Sequence, residues 1–302
     1  MSGRLAALRT RLAARVRTLA VTGDATADVC LNCETPLVGP YCAACGQRAL
    51  PPRPTLRELA EEAWGEFVSL DGRFLTTMRL LLARPGVLTR ETLLGRRARY
   101  LGPVRLYLLC SVTYFLASAA LPEHGFGERK AEARTELGDA VGTTIPESCR
   151  PSKTRVPAMV QRIREIDCKS DREPERFEQA LRANRPRLMF VLLPLYAAIL
   201  ALAFRGPTYP EHLIFALHLH AFVFLGILVA RSADLLPWRK ADAVVDAVVW
   251  VGIVAYSLVA LRRVYRRSRG GTLLRSVLVA GTYGILFVLG LVGVMFVAAM
   301  QM

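Results

Sequence analysis

The stretch SVLVAGTYGILFVLGLVGVMFVAA, residues 276–299, decides the fold. It carries no charged side chain. At about 1.5 Å per residue, a helix of that length crosses the ~30 Å hydrocarbon core of a bilayer. Four further apolar runs have a similar length: Val104–Leu121, Leu188–Phe204, Tyr209 to about Ala230, and Ala241–Leu261. Hydrocarbon offers the backbone no water, so a continuous apolar run must satisfy its amides within itself, as a helix does. Pro194 interrupts the second run, but neighbouring helices can satisfy the carbonyl it frees. Five such runs in a soluble chain would leave too little polar surface to cover them.

The composition agrees. Hydrophobic residues make up 53%, yet 40 Lys and Arg against 25 Asp and Glu leave a formal charge of +15. That combination excludes a disordered or acidic chain and favours contact with anionic lipid. The positive charges also set the expected orientation. Arg262, Arg263, Arg266, Arg267, Arg269 and Arg275 lie between the fourth and fifth runs, with no acid among them. Arg96, Arg97, Arg99 and Arg105 precede or begin the first. Both clusters belong on the cytoplasmic side, and five crossings put them on one side. The expected location is a bacterial inner membrane, N-terminus cytoplasmic and C-terminus extracytoplasmic. Arg231, Arg239 and Lys240 then fall outside, a mild conflict.

A second signal sits upstream. CLNCETPLVGPYCAACGQ, residues 30–47, sets two C-x-x-C pairs eight residues apart. Cys30, Cys33, Cys42 and Cys45 fit tetrahedral zinc, each tight turn presenting two thiolates. A redox dithiol is the rival reading. Four cysteines leave no position for a catalytic water, so the zinc is expected to be structural. So small a unit has no sizeable core, and metal must supply most of its folding energy, on the order of 10 kcal/mol. Only Arg48 is basic between Cys30 and Arg48, which speaks against nucleic acid. Cys149 and Cys168 lie in the long extracytoplasmic segment, where a disulfide is allowed; two unpaired thiols are the alternative. Cys110, within the first run, reads as a small packing residue.

The segments order themselves accordingly: a basic extension (1–29), the ribbon (30–48), amphipathic juxtamembrane helices (49–103), the first span (104–121), an extracytoplasmic loop (122–187) and a four-helix membrane region (188–302). Residues 1–20 hold five arginines, no acid and no continuous apolar core of the signal-peptide kind. They read equally as a lipid-surface helix or a frayed extension. Thr55-Leu56-Arg57-Glu58 has capping-box spacing, and a second amphipathic stretch, Arg73 to Arg84, follows. In GRRARYLGP, residues 95–103, Arg96, Arg97 and Arg99 suit lipid phosphates.

The quoted ribbon, DGRFLTTMRLLLARPG (71–86), GRRARYLGPVRLYL (95–108) and YPEHLIFALHLHAF (209–222) together resemble the bacterial membrane proteins of domain-of-unknown-function family 3667. The resemblance implies a membrane protein with an N-terminal four-cysteine ribbon, and carries over no activity and no catalytic residue. Glu34 departs from the common knuckle, where Gly follows the second Cys; a looser first turn is expected.

Ionisable residues inside a span are candidates for function. Glu211, His212, His218 and His220 lie in the third run and Asp246 in the fourth. At about 100° per residue, Glu211 and His218 share a face while His220 points nearly opposite. They fit either interhelical hydrogen bonding or a polar track for a proton or solute. No nucleophile–base set accompanies them. Gly281, Gly284, Gly290 and Gly293 let the fifth span approach a neighbour closely, within the bundle or in a homo-oligomer. The expectation is an all-α membrane protein of about five transmembrane helices carrying a small zinc ribbon. Its expected role is a non-enzymatic scaffold or sensor that binds a cytoplasmic protein partner. A small transporter or channel is the second reading.

Overall fold

The structure is a computed structural model that describes residues 29–49, 55–57, 72–120, 160–161, 174–233 and 239–301. Its helices are α1 (Arg73–Ala83), α2 (Val87–Leu93), α3 (Pro103–Ala120), α4 (Pro174–Ala203), α5 (Tyr209–Ala233), α6 (Arg239–Tyr265) and α7 (Arg269–Met300). Five of them, α3 to α7, are long and apolar enough to cross a membrane. No strand occurs among the described residues, only two isolated bridges in the ribbon, Val29 with Pro36 and Tyr41 with Arg48. The basic extension, the helix expected after Thr55 and the Cys149–Cys168 pair lie outside the described residues.

Helix α5 is the axis. It is apolar on all sides, as a helix surrounded by others must be. Its span is 56% buried, against 11% for α7. Helices α3, α4 and α6 pack around α5, and α7 packs chiefly on α4. In lipid the driving force is close packing rather than escape from water. Phe215, Ile214 and Ala216 of α5 meet Leu106, Leu200 and Ala260 in one buried cluster. At the α4–α7 seam, a Cβ on Gly290 would come within 2.5 Å of Leu188 Cδ1, so a larger residue there would have to turn that side chain aside. A Cβ on Gly281, Gly284 or Gly293 would meet nothing within 4 Å. Of the four glycines, only Gly290 serves packing within the bundle.

Helix α4 begins at Pro174, ahead of the apolar run expected from Leu188, and holds both Pro186 and Pro194. Tyr209 Oη, from the start of α5, donates to the Pro194 carbonyl at 3.1 Å and ties the two helices together there.

The α1–α2 hairpin packs into the side of the bundle. Tyr256 Oη donates to the Leu81 carbonyl at 2.7 Å, and Thr89 meets His218 at 2.9 Å. Tyr256 and His218 each lie nine residues from the near end of their helix, roughly 13 Å deep. The hairpin is therefore wedged beside α5 and α6. Its turn, Arg84-Pro85-Gly86, sits against α6: Gly86 has φ +71°, and a Cβ there would lie 2.9 Å from the Ala260 carbonyl. Thr77, Thr89 and Thr92 are buried in the wedge. Thr77 and Thr92 donate to carbonyls one turn back, which lets hydroxyls survive in an apolar setting.

The ribbon, the turn 204–208 and the turn 266–268 lie at one end of the bundle. Arg267 donates to the Arg205 carbonyl at 3.4 Å, and Arg263 to the Pro85 carbonyl at 2.6 Å. Gln301, after α7, meets Asn184 of α4 at the other end.

Candidate metal centre

The ribbon is two copies of one turn. Cys30 N–H donates to the Thr35 carbonyl and Glu34 N–H to the Cys30 carbonyl, both at 2.8 Å. Cys42 N–H donates to the Gln47 carbonyl and Gly46 N–H to the Cys42 carbonyl, again at 2.8 Å. Each turn needs a left-handed residue after its second cysteine. Gly46 supplies φ +71° and Glu34 φ +63°. The Glu34 turn closes with the same bond lengths as the glycine turn, so it is strained rather than loose. A side chain in that conformation costs about 1–2 kcal/mol.

The two turns bring four sulfurs together. Sγ of Cys33 lies 3.4 Å from that of Cys42 and 3.5 Å from that of Cys45. Cys30 and Cys45 are 3.6 Å apart, and all four lie within 4.8 Å of one another. Four thiolates around a tetrahedral ion, each at ~2.3 Å, stand about 3.8 Å apart. The donor set fits a metal ion. Cys30 and Cys42 are buried, while Cys33 and Cys45 are partly exposed. Hydrogen bonding with Thr35, whose hydroxyl lies 3.3 Å from Cys33 Sγ, holds the Cys33 thiol down at about 6. Burial pushes the Cys45 thiol up to about 11. A bound cation overrides that difference, because a coordinating thiol is deprotonated outright.

Gln47 fixes the ribbon to the membrane domain. Its Nε2 donates to the Gly95 carbonyl at 2.8 Å. Its Oε1 accepts from the backbone N–H groups of Arg97, at 3.0 Å, and Ala98, at 3.1 Å. Beside this clamp Leu31 covers Gly95, where a Cβ would meet Leu31 Cδ1 at 2.5 Å and φ is +79°. Leu31 adjoins Cys30 and Gln47 lies two residues after Cys45, and neither carries a further signal in the sequence. The arginines of the same loop take separate roles. Arg96 pairs with Glu91 at 3.3 Å. Nε and Nη2 of Arg97 are buried, and Arg99 stays exposed.

The polar groups of α5 do not converge. Glu211 caps its own helix: its carboxylate accepts from the Thr208 N–H at 2.5 Å and from the Thr208 hydroxyl at 3.2 Å. That is half of a capping box, and Thr208-Tyr209-Pro210-Glu211 shows its T-x-x-E spacing in the sequence. His212 Nδ1 meets Tyr265 Oη of α6 at 2.7 Å. His218 Nδ1 meets Thr89 of α2, and His220 Nε2 meets Tyr283 Oη of α7 at 3.0 Å. The three imidazoles thus join the axis to three different helices. Asp246 is exposed on α6. Two buried imidazole nitrogens, Nε2 of His212 and of His218, have no hydrogen-bond partner. A buried polar atom left so costs about 1–3 kcal/mol.

Comparison with known proteins adds one finding. Residues 71–115 match a family model described as Protein of unknown function (DUF3667). The match takes in α1, α2 and α3 as far as Phe115, which is the wedged hairpin and its exit into the first span. The DUF3667 match leaves the cysteine ribbon and α4 to α7 outside it. No curated protein and no solved structure matches the chain.

Proposed function

We propose that the chain is a non-enzymatic scaffold or sensor of a bacterial inner membrane, whose cytoplasmic ribbon holds structural zinc and binds a protein partner. One observation carries this reading: the ribbon is clamped on one side by Gln47 and Leu31, while its connecting loop stays open, with Val38 99% exposed. Tyr41, at the end of that loop, is also exposed, so an apolar tip faces outward from a rigid base. Four thiolates at tetrahedral spacing support zinc as the ion. The N-terminus is then cytoplasmic, the C-terminus extracytoplasmic, and exposed arginines such as Arg99 rest on anionic head groups. The test is a photocrosslinking residue at position 38, with position 31 as control. A single partner captured at 38, and lost in Cys42→Ser, supports the reading; equal capture at both positions refutes it.

The unpartnered nitrogens of His212 and His218 favour a second reading, a small transporter or channel that moves protons or a small solute along α5. That reading requires a flux into proteoliposomes that His218→Asn abolishes without unfolding the protein.

A further inference from the structure

An apolar groove of about 470 Å³ runs down the outside of the bundle between α5 and α6, lined by Phe222, Gly226, Val249, Gly252 and Val259 and closed at one end by Pro85. From Val249 to Val259 it is about 15 Å long, half of the ~30 Å hydrocarbon core and so the depth of one leaflet. It begins near the middle of the apolar run 241–261 and ends at the same end of the bundle as the ribbon. The floor is rigid: Phe222 and Tyr256 stack with ring centroids 3.5 Å apart and planes 9° apart. Glycine makes the depth, since a Cβ on Gly252 would meet nothing within 4 Å.

The closed end is basic. Arg262 lies one helical turn beyond Val259 and is exposed. Arg263 is held at the mouth by its bond to the Pro85 carbonyl, 2.6 Å long, which uses one of its five donors. Arg84, next to Pro85, is exposed as well. A slot one leaflet deep with arginines at head-group level matches one ligand chemistry: an acyl chain attached to a phosphate.

We infer that this groove is a binding site for an anionic phospholipid, one acyl chain lying along Gly226 and Gly252 and the phosphate held by Arg262 and Arg263. This differs from general attraction to a charged membrane, because it assigns one lipid to one slot. It is also independent of what the ribbon binds.

The test uses the full chain in nanodiscs containing phosphatidylglycerol with a diazirine midway along one chain, and in parallel the same label on phosphatidylcholine. Labelling is expected at 226–229 and 249–259, with the phosphatidylglycerol analogue preferred. Gly252→Phe fills the slot and should abolish that labelling. Arg262→Glu should lower the preference about fivefold. Gly284→Phe, at a position equally open on α7, should change nothing. Metal content and elution as a single species check the fold. Should Gly252→Phe not survive purification, Gly252→Leu occupies the same space and decides the point. Labelling spread evenly over α7, equal capture of phosphatidylcholine, or a crosslink between two copies across the groove would each overturn the inference.

Discussion

Replacing Gln47 by Ala removes three hydrogen bonds and leaves the metal ligands untouched. Two of the three are accepted from the N–H groups of Arg97 and Ala98, and the third is donated to the Gly95 carbonyl. At about 0.5–1.5 kcal/mol each, and allowing for water reaching a partly buried site, the loss is about 2 kcal/mol. That raises the undocked population of the ribbon about thirtyfold. The donors report the event directly: hydrogen exchange at the amides of Arg97 and Ala98 should accelerate by that factor, with full metal retained. The Gln47 backbone carbonyl, which accepts from Cys42 N–H, is unaffected by the change. Gln47→Glu keeps the acceptor for both amides and loses only the bond to Gly95, so its acceleration should be smaller. Unchanged exchange in Gln47→Ala would refute the clamp. Loss of metal would refute it differently, by showing that Gln47 supports the knuckle rather than the joint.

Three further outcomes follow from the same geometry. Glu34→Gly relieves the left-handed strain at φ +63° and, after the greater unfolded-chain entropy of glycine, should tighten metal binding by about 1 kcal/mol, or about fivefold; competition with a chromophoric chelator measures it, and weaker binding contradicts it. Thr89→Val strands a buried imidazole nitrogen at His218 and should cost about 1–2 kcal/mol, read as a lower Tm in detergent with metal content unchanged. Glu211→Ala removes the cap on α5 and should cost about 1 kcal/mol, whereas Glu211→Gln keeps an acceptor and should be nearly silent; equal losses in the two variants would show that the carboxylate does more than cap.

The spans were legible because a run of about 20 apolar residues has one stable fate in a bilayer, whatever its neighbours do. The four-cysteine cluster was legible because C-x-x-C spacing is a local property of the chain. What escaped depends on contacts between distant residues. Thr77, Thr89 and Thr92 are polar residues whose burial no local pattern announces. Their hydroxyls are satisfied locally or by His218, which lets α1 and α2 sit inside the bundle. The face that Glu211 and His218 share by angle was a sound reading of one helix. What one helix cannot show is its surroundings: α5 is ringed by other helices, and His212, His218 and His220 each meet a different one. Glu211 is also turned back onto Thr208, as the T-x-x-E spacing of residues 208–211 allows.

The energies also order events at the ribbon. With zinc bound as proposed, the four thiolates would contribute on the order of 10 kcal/mol to folding their own unit. The joint to the membrane domain, made by Gln47 and the contact of Leu31 with Gly95, contributes about 3 kcal/mol. The joint must therefore open long before the metal leaves, and the ribbon stays folded when it does. The proposed partner, if it bound the Val38–Tyr41 tip with micromolar affinity, would supply about 8 kcal/mol, enough to trade the joint for a new contact where the two geometries conflict. Metal loss would instead unfold the knuckles and remove Gln47 from the loop at 95–98 in the same step. The loop leads directly into α3, and through Glu91 and Thr89 it borders α2 and the axis of the bundle. Regulation through the ribbon would then act at Gln47, where the energy is small enough to be shifted, rather than at the cysteines, where it is not.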